Sequence, residues 1–317
     1  MNRFARSARR PTAAALLAVL GGCAGTTGSA VAPSQALPLA TLQTASPQCK
    51  PLTVPRHAFS ISVNGLNDRR DVVELATVHH RTASYEVYWP FRRNRYREIG
   101  IGLGTVATSI NDAGLIAGWY LSDHGATLGF ILSHGVWTSY EARKPHRSHT
   151  NVTELLGLND DDSLVGFYLD GSGADRAFEL NAATGKSYEI RPPGAVSAEA
   201  TAINNRGDVT GFLTQKNGSI ESFLLKGGSY TLLQYPGGGA TQAFGVGRSD
   251  EIVGSYVDTT GKTHGFILTD PLASPQWQSF DYPESTGPTV LKGVNERGDL
   301  IGSYVDAYQR SHSFYCH

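Results

Sequence analysis

The chain has 317 residues, of which 36 are glycine, 17% are charged and one, the first, is methionine. This composition excludes a mainly helical protein, because a glycine inside a helix costs about 1 kcal/mol relative to alanine. The formal net charge of −1 excludes a duplex nucleic-acid binder with a strongly basic face, and the 40% hydrophobic content excludes global disorder. An all-β chain rich in turns is the expected class.

Residues 1–22 have the pattern of an export signal. Four arginines and no acidic residue occupy the first ten positions, and the apolar run from Thr12 to Leu20 is about half of what a membrane span needs. The segment ends Leu20-Gly21-Gly22-Cys23, which resembles the lipobox of bacterial lipoproteins. The resemblance implies that Cys23 is acylated, with chains such as palmitate, and becomes the mature N-terminus. The alternative is a plain secretory signal followed by a cysteine by chance.

The segment after Cys23 indicates both a destination and a tether. Ala24 and Gly25 stand where an Asp would retain a proteobacterial lipoprotein at the inner membrane, so the resemblance implies the outer membrane. Residues 23–47 contain no charged residue and are rich in Thr, Ser, Ala, Gly and Pro, which is typical of a flexible tether with a reach on the order of 25–30 Å. The folded domain is therefore expected over residues 48–317.

The rest of the chain consists of six copies of one motif, in which an Asn, a turn rich in Asp and Gly, and an Ile-x-Gly-x-Tyr alternation follow one another. The second copy, from Ser109 to Tyr120, shows the motif in full. The anchor positions of the copies, 43 to 48 residues apart, are Asn67, Asn111, Asn159, Asn204, Gly247 and Asn295. A period of this length predicts a repeat architecture.

Each copy divides into four short strands. The first ends at the anchor, and we interpret the Asn-Asp-x-Gly segment as the residues that accept the positive φ of a tight turn. The second carries the Gly-x-Tyr alternation, the third resembles His264 to Leu268, and the fourth ends at a proline, as in Tyr230 to Pro236. This pattern predicts an all-β fold, a six-bladed β-propeller. A solenoid is the alternative, but parallel β-helices use shorter coils and need capped ends.

These motifs resemble the bacterial extracellular repeats known as the HAF family, named after a tripeptide that occurs here as His57-Ala58-Phe59. The resemblance covers nearly the whole chain after the tether and implies an extracellular repeat protein without a particular activity. Copy one departs from the pattern at Glu74, where the other copies have Gly, and copy five has Gly247 in place of the anchor Asn.

The two ends of the repeat region are expected to complete one blade. The sixth copy stops after its third strand at His317, whereas Cys49 to Pro55 reads as a fourth strand that ends at a proline. Closing the ring in this way removes exposed strand edges. Aligning the strands on the other copies makes Cys49 and Cys316 cross-strand neighbours and predicts a disulfide worth roughly 4–5 kcal/mol. Two free thiols are the alternative.

Three neighbouring copies carry polar residues five positions before the anchor, where each inner strand begins. The residues at this position are Ser62, Val106, Glu154, Glu199, Gln242 and Val290. Strand direction places them at one mouth of the central channel, on the same face as His124 and the loop containing His146 and His149. Carboxylates beside imidazoles can bind a divalent cation or act as acid and base. The simpler interpretation is a water-filled channel, so we assign no metal, cofactor or catalytic residue.

Two repeated or clustered acidic features are interpreted as structural. Asp258 precedes His264, and Asp306 precedes His312, by six residues. Because this spacing recurs between copies, we expect a hydrogen bond that pins a loop rather than half of a catalytic triad. The run from Asp160 to Asp162 lies in a turn, and we expect a plain turn rather than a calcium site.

Copy one also has arginines interleaved with aromatic residues at the hairpin between its third and fourth strands. The arginines are Arg92, Arg93, Arg95 and Arg97. Such a hairpin can dock on an anionic glycan, lipid headgroups or a partner protein, and a solvated loop is the alternative.

The sequence thus favours a lipid-anchored, non-enzymatic binding or scaffold module at the bacterial outer membrane. Its expected partners are the membrane, through Cys23, and a glycan or an envelope protein, but not nucleic acid, and we expect a monomer. The alternative is a propeller enzyme, a hydrolase or lyase that acts on a polysaccharide or lactone through Glu154, Glu199 and the nearby histidines.

Overall fold

The computed structural model describes residues 47–52, 58–78, 81–88, 95–101, 103–142 and 151–317. The predicted export signal, Cys23 and all but the last residue of the predicted tether lie outside these ranges. Within them, no helix is long and apolar enough to cross a membrane.

The described strands form six four-stranded antiparallel sheets, which confirms the predicted six-bladed β-propeller. Blade one consists of β2 (Ala58–Leu66), β3 (Val72–Val78), β4 (Arg81–Tyr88) and β5 (Arg95–Ile99). Blade two consists of β6 (Leu103–Ile110), β7 (Ile116–Leu121), β8 (Thr127–Ser133) and β9 (Val136–Tyr140). Blade three consists of β10 (Thr153–Leu158), β11 (Ser163–Leu169), β12 (Asp175–Asn181) and β13 (Ser187–Glu189).

The second half of the chain repeats this plan. Blade four consists of β14 (Ala195–Ile203), β15 (Val209–Gln215), β16 (Ile220–Lys226) and β17 (Ser229–Leu233). Blade five consists of β18 (Thr241–Val246), β19 (Ile252–Val257), β20 (Thr263–Thr269) and β21 (Gln276–Phe280). Blade six consists of β22 (Thr289–Val294), β23 (Leu300–Val305), β24 (Ser311–Cys316) and, from the other end of the domain, β1 (Cys49–Pro51).

The sixth blade is closed as the sequence predicts. β1 pairs antiparallel with β24, and Cys49 lies opposite Cys316 in the register. The two cysteines form a disulfide across 267 residues of chain. The N-terminal strand therefore completes the last sheet and is covalently tied to it.

Close packing of the first two strands of each blade explains the repeated glycine of the second strand. All six inner strands carry a bulge three residues before the anchor, at Asn64, Thr108, Leu156, Thr201, Phe244 and Lys292. Next to this bulge, a Cβ added to Gly166 would lie 1.9 Å from the carbonyl oxygen of Glu154. The equivalent distance at Gly118, Gly211 and Gly254 is 2.0 Å. Only glycine allows the backbones to approach so closely.

Positive φ occurs in each anchor turn, as the Asn-Asp-x-Gly segment predicts, but not at the anchor Asn itself. The positive φ of each turn falls three residues after the anchor, at Arg70, Gly114, Asp162, Gly207, Asp250 and Gly298. The Asn side chain instead joins neighbouring blades. Asn159 donates from Nδ2 to the carbonyl oxygen of Asn204 at 3.0 Å, while its Oδ1 accepts from the backbone N–H of Ser163 at 2.9 Å. Each anchor Asn thus links its own turn to the next blade, and we call this pair of side-chain hydrogen bonds a clasp.

Equivalent clasps run around almost the whole ring. The Asn Nδ2 donates to the next anchor's carbonyl oxygen at 3.0 to 3.2 Å from Asn67, Asn111, Asn159, Asn204 and Asn295. Gly247 has no side chain, so the step from blade five to blade six lacks this bond. Between the blades, a buried aromatic ring recurs on the third strand, at Tyr85, Phe130, Phe178, Phe223, Phe266 and Phe314. The clasps and rings thus connect neighbouring blades around the central channel.

Candidate functional site

The predicted polar residues do occupy one level of the channel. Glu154, Glu199 and Gln242 have equivalent positions in the registers of blades three, four and five, opposite Phe167, Phe212 and Ser255 of the second strands. Since equivalent register positions in adjacent blades face the same mouth, the three side chains form a continuous polar arc, which we call the acid arc.

Burial disfavours the ionised form of both carboxyls in the acid arc. Desolvation raises the pKa of Glu154 to about 7, with a smaller contribution from the negative charge of Asp175. Desolvation also raises the pKa of Glu199 to about 8, and the charges of Asp175 and Glu154 add to this shift. Glu154, Glu199 and Asp175 therefore interact electrostatically across the interface between blades three and four.

Asp175 belongs to the same region and was not predicted. It begins β12, and its Oδ2 accepts a hydrogen bond of 2.8 Å from Ser197 Oγ in the next blade. Burial raises its pKa, although the Ser197 hydrogen bond acts in the opposite direction. Asp175 lies outside the inner strands, so a search restricted to repeat positions on those strands misses it. The sequence feature that could have identified Asp175 is its position at the start of a third strand, one blade before Glu199.

The histidines expected beside the acid arc do not form a described part of it. His124 is exposed in the turn between β7 and β8, and no hydrogen bond or ion pair joins it to either glutamate. His146 and His149 lie outside the described residues. Across the described ranges, no group of three or more His, Cys, Asp or Glu side chains is arranged to hold a metal ion.

The Asp–His pairs form the hydrogen bonds that their spacing predicts. His264 Nε2 lies 3.3 Å from Asp258 Oδ2, and His312 Nε2 lies 2.8 Å from Asp306 Oδ2. His264 also contacts Asp281 through Nδ1 at 2.9 Å. Because both pairs recur at equivalent places, they stabilise the loops between the second and third strands.

The arginine hairpin of copy one is only partly described. Arg92 and Arg93 lie outside the described residues, and Arg95 begins β5. Arg97 Nη2 lies 2.6 Å from Glu86 Oε2, a carboxylate that is buried in the blade. Arg97 therefore neutralises an acid of its own sheet.

Inside the channel, the bulge of blade six contains Lys292, which was not predicted as a site residue. Lys292 Nζ lies 4.9 Å from the centre of the Phe244 ring. Desolvation lowers the pKa of Lys292 to about 8, and no described carboxylate forms an ion pair with it. The spacing three residues before an anchor was the signal that could have identified it.

The opposite mouth of the channel is closed by a ring of acidic side chains that are already satisfied. Asp68 N donates to Asp112 Oδ1 at 2.8 Å, Asp112 N to Asp160 Oδ1 at 2.8 Å, and Asp160 N to Asn205 Oδ1 at 2.9 Å. Asn205 N then reaches Glu296 Oε1 at 3.0 Å, past blade five, and Glu296 N returns to Asp68 Oδ1 at 2.9 Å. These residues line a cavity of about 60 Å³.

The ring of side chains at the opposite mouth has a structural role. Each acid is committed to a backbone N–H of a neighbouring blade, and Asp160 lies in a plain turn, with the positive φ at Asp162. Burial raises the pKa of Asp68 and of Glu296, in each case with a further contribution from a neighbouring acid. The acid arc is therefore the better candidate for a binding site, because its glutamates have no such commitments.

The raised pKa values predict a pH-dependent effect of Glu154→Gln and Glu199→Gln. Both folded-state pKa values exceed the ordinary 4.5, so the folded protein is stabilised by these protons below pH 4.5 and loses that stability as pH rises through 7 and 8. At about 1.4 kcal/mol per pKa unit, the free energy of unfolding at pH 9 should rise by roughly 3 kcal/mol in Glu154→Gln and by roughly 5 kcal/mol in Glu199→Gln, and it should change little at pH 4.5. Urea unfolding at both pH values measures this.

Glu221→Gln is the matched control for this prediction, because Glu221 lies on β16, a third strand away from the channel. It should leave the free energy of unfolding nearly unchanged at both pH values. Equal effects of all three substitutions at pH 9 would contradict the assignment of buried, uncompensated carboxyls to the acid arc.

Comparison with known proteins identifies the fold alone. No protein-family model and no curated protein matches the chain, so the resemblance to the HAF repeats stays a prediction. Among solved structures, the chain is similar to a putative TolB from Agrobacterium tumefaciens, with a TM-score of 0.54, 10% identity, and 81% of this chain and 89% of that one covered. It is also similar to the Aleuria aurantia lectin, with a TM-score of 0.51, 10% identity, and 84% and 93% covered.

A third similar structure is TolB from Acinetobacter baumannii, with a TM-score of 0.50 and 11% identity. The match covers 81% of this chain and 63% of that one. At such low identity the likeness extends to the propeller fold and no further. By fold, the chain is a six-bladed β-propeller.

Proposed function

We propose that this protein is a non-enzymatic binding module at the bacterial cell envelope, anchored by a lipid on Cys23 and binding its ligand at the acid arc. The observation that carries the proposal is the set of polar groups without partners at this mouth. The side chains of Glu154, Glu199 and Gln242 make no hydrogen bond to any described residue, and Gln242 is only 6% exposed. Their polar atoms are not among the fully buried unpaired atoms of the described residues, so water reaches them and a ligand can pair with them instead.

A glycan is the first ligand class to test. The Aleuria aurantia lectin, which has a similar fold, was solved in complex with Fucα1-6GlcNAc. The experiment is a glycan array probed with residues 48–317, comparing the unchanged domain with the Glu154→Gln/Glu199→Gln variant and with Glu221→Gln. Binding that the double variant loses and Glu221→Gln retains supports the proposal. Binding that survives in the double variant would place the ligand elsewhere on the ring.

The lipid anchor makes its own prediction. Cys23→Ser should abolish incorporation of an alkyne-labelled palmitate when the full chain is expressed in a Gram-negative host, because a serine hydroxyl cannot replace the lipobox thiol. The protein should also move from the membrane fraction to the soluble fraction. Cys49→Ser is the control, since Cys49 is in the disulfide, and should keep the label. Equal labelling of the wild type and Cys23→Ser would refute the anchor.

An enzyme is a second candidate, and one observation favours it. Two neighbouring carboxyls with pKa values near 7 and 8 resemble the acid that a glycoside hydrolase or lyase needs at neutral pH. Release of p-nitrophenol from a panel of p-nitrophenyl glycosides, lost in Glu154→Gln, would support this candidate over the binding module. Binding without turnover would support the module.

A further inference from the structure

The described part of the protein supplies no positive charge for the carboxylates of the acid arc when they ionise. Glu154 and Glu199 interact with each other and with Asp175, and all these interactions disfavour ionisation. Arg176, which follows Asp175 in the chain, is held by Asp170 through Nη2–Oδ2 at 2.6 Å. Asp175 is held by Ser197. No described cation is among the charges that act on the two glutamates.

Gln242 provides a second observation that is independent of the acids. Its amide is neutral, only 6% exposed, and without a hydrogen bond to any described residue. Its register partner is Ser255, as Phe212 is the partner of Glu199, so the amide faces the same mouth as the carboxylates. Because neither atom of this amide is among the fully buried unpaired atoms of the described residues, a ligand can reach it in place of water.

Aromatic rings form the wall behind these groups. Phe167 and Phe212 pair with the two glutamates in the sheet registers, and Phe212 contacts Phe244 edge to face at 6.1 Å between ring centres. The face of Phe244 already carries an ammonium group, that of Lys292 at 4.9 Å. Aromatic faces and carboxylates are the two surfaces that attract organic cations.

The number of hydrogen-bond acceptors in the acid arc also fits an organic cation. A primary ammonium group has three N–H donors, and the acid arc has two carboxylates and one amide oxygen free to accept them. Zinc, in contrast, needs three or four ligands converging at about 2 Å, which the described side chains do not provide.

We infer that the acid arc binds the primary ammonium group of a small ligand, through Glu154, Glu199 and the amide oxygen of Gln242. This inference rests on the proposed binding function and specifies its ligand class. Lys292, on the inner strand of blade six, lies two positions closer to its anchor than Gln242 does to its own and is therefore further inside the channel.

The test is calorimetric titration of the full chain, purified in detergent, with two amines that represent the two sources of this group. Putrescine is compared with 1,4-butanediol, and D-glucosamine with D-glucose, so that each pair differs only in replacing amine by hydroxyl. At least one amine should bind at pH 8, and its hydroxyl counterpart should bind at least tenfold more weakly, because charge-assisted hydrogen bonds are lost.

Variants locate the site and separate binding from folding. Glu154→Gln/Glu199→Gln should weaken amine binding at least tenfold, and Gln242→Leu should weaken it severalfold, while Glu221→Gln changes nothing. The double variant is expected to be more stable than wild type at pH 8, so lost binding will not reflect unfolding; circular dichroism checks this. Failure of both amines to bind, equal binding of the hydroxyl compounds, or undiminished binding by the double variant would overturn the inference. A neutral glycan whose array signal is lost in the double variant, with no amine binding, would uphold the binding module and reject the ammonium ligand.

Discussion

Replacing Cys49 with serine is expected to lower the free energy of unfolding by about 5 kcal/mol. The disulfide to Cys316 closes a loop of 267 residues, and in the chain-entropy model such a cross-link removes much of the freedom of the unfolded chain. For a domain of this size the loss corresponds to a drop in Tm of roughly 10 °C. Differential scanning calorimetry of the two proteins under oxidising conditions measures it.

Reduction serves as the control for the cysteine experiment. A reducing agent should lower the Tm of the wild type to nearly that of Cys49→Ser, and it should not change the Tm of the variant. A Tm of Cys49→Ser equal to that of the oxidised wild type would show that the bridge contributes nothing to stability.

Gly166→Ala is the second substitution with a large expected effect. The added Cβ would lie 1.9 Å from the carbonyl oxygen of Glu154 and 3.0 Å from its carbonyl carbon, and both are backbone atoms that cannot rotate away. The inner strand of blade three would have to shift, at a cost of roughly 4 kcal/mol or more, which is exceptional for a single methyl group. Guanidinium unfolding at pH 7 measures this cost.

Gly171→Ala is the matched control in the same blade. A Cβ at Gly171 meets nothing within 4 Å, so the free energy of unfolding should change by no more than about 0.5 kcal/mol. Because the strand that Gly166→Ala displaces carries Glu154, any ligand affinity of the acid arc should fall as well. Similar stability of the two alanine variants would mean that the strands separate without cost.

Glu74 shows how the repeat tolerates an exception to this rule. It occupies the position of Gly166 in blade one, and its side chain is almost completely buried with Oε1 unpaired. Desolvation raises its pKa to about 8, so the carboxyl is held mainly protonated at neutral pH. The sequence identified this departure, but the consequence for protonation depended on the surrounding packing.

Several features were predictable because they depend on order along the chain. The spacing of the anchors determined the number of blades. Counting strands from the last anchor left one strand missing, and the position of Cys49 supplied it. The glycine of the second strand recurs at a fixed place in the motif, and at Gly118 and Gly166 it allows the close approach of two backbones.

The role of the anchor Asn illustrates what the sequence could not decide. A turn motif explains an Asn locally, and on that basis we interpreted the whole Asn-Asp-x-Gly segment as residues that accept positive φ. The structure shows that its amide reaches the carbonyl oxygen of a residue 43 to 48 positions further on, as from Asn111 to Asn159. Such a contact depends on how adjacent blades are placed, and no local pattern encodes that placement.

The candidate site, too, was predictable from the sequence only in part. Periodicity alone placed Glu154, Glu199 and Gln242 at one level of the channel, because residues at equivalent strand positions face the same mouth. Only the tertiary structure brought Asp175 beside them, left His124 apart, and showed that the acids of the opposite mouth are committed to backbone N–H groups. A repeat determines the height of a side chain along the channel axis, whereas its distance across the channel and the partners available there depend on the packing of the closed ring.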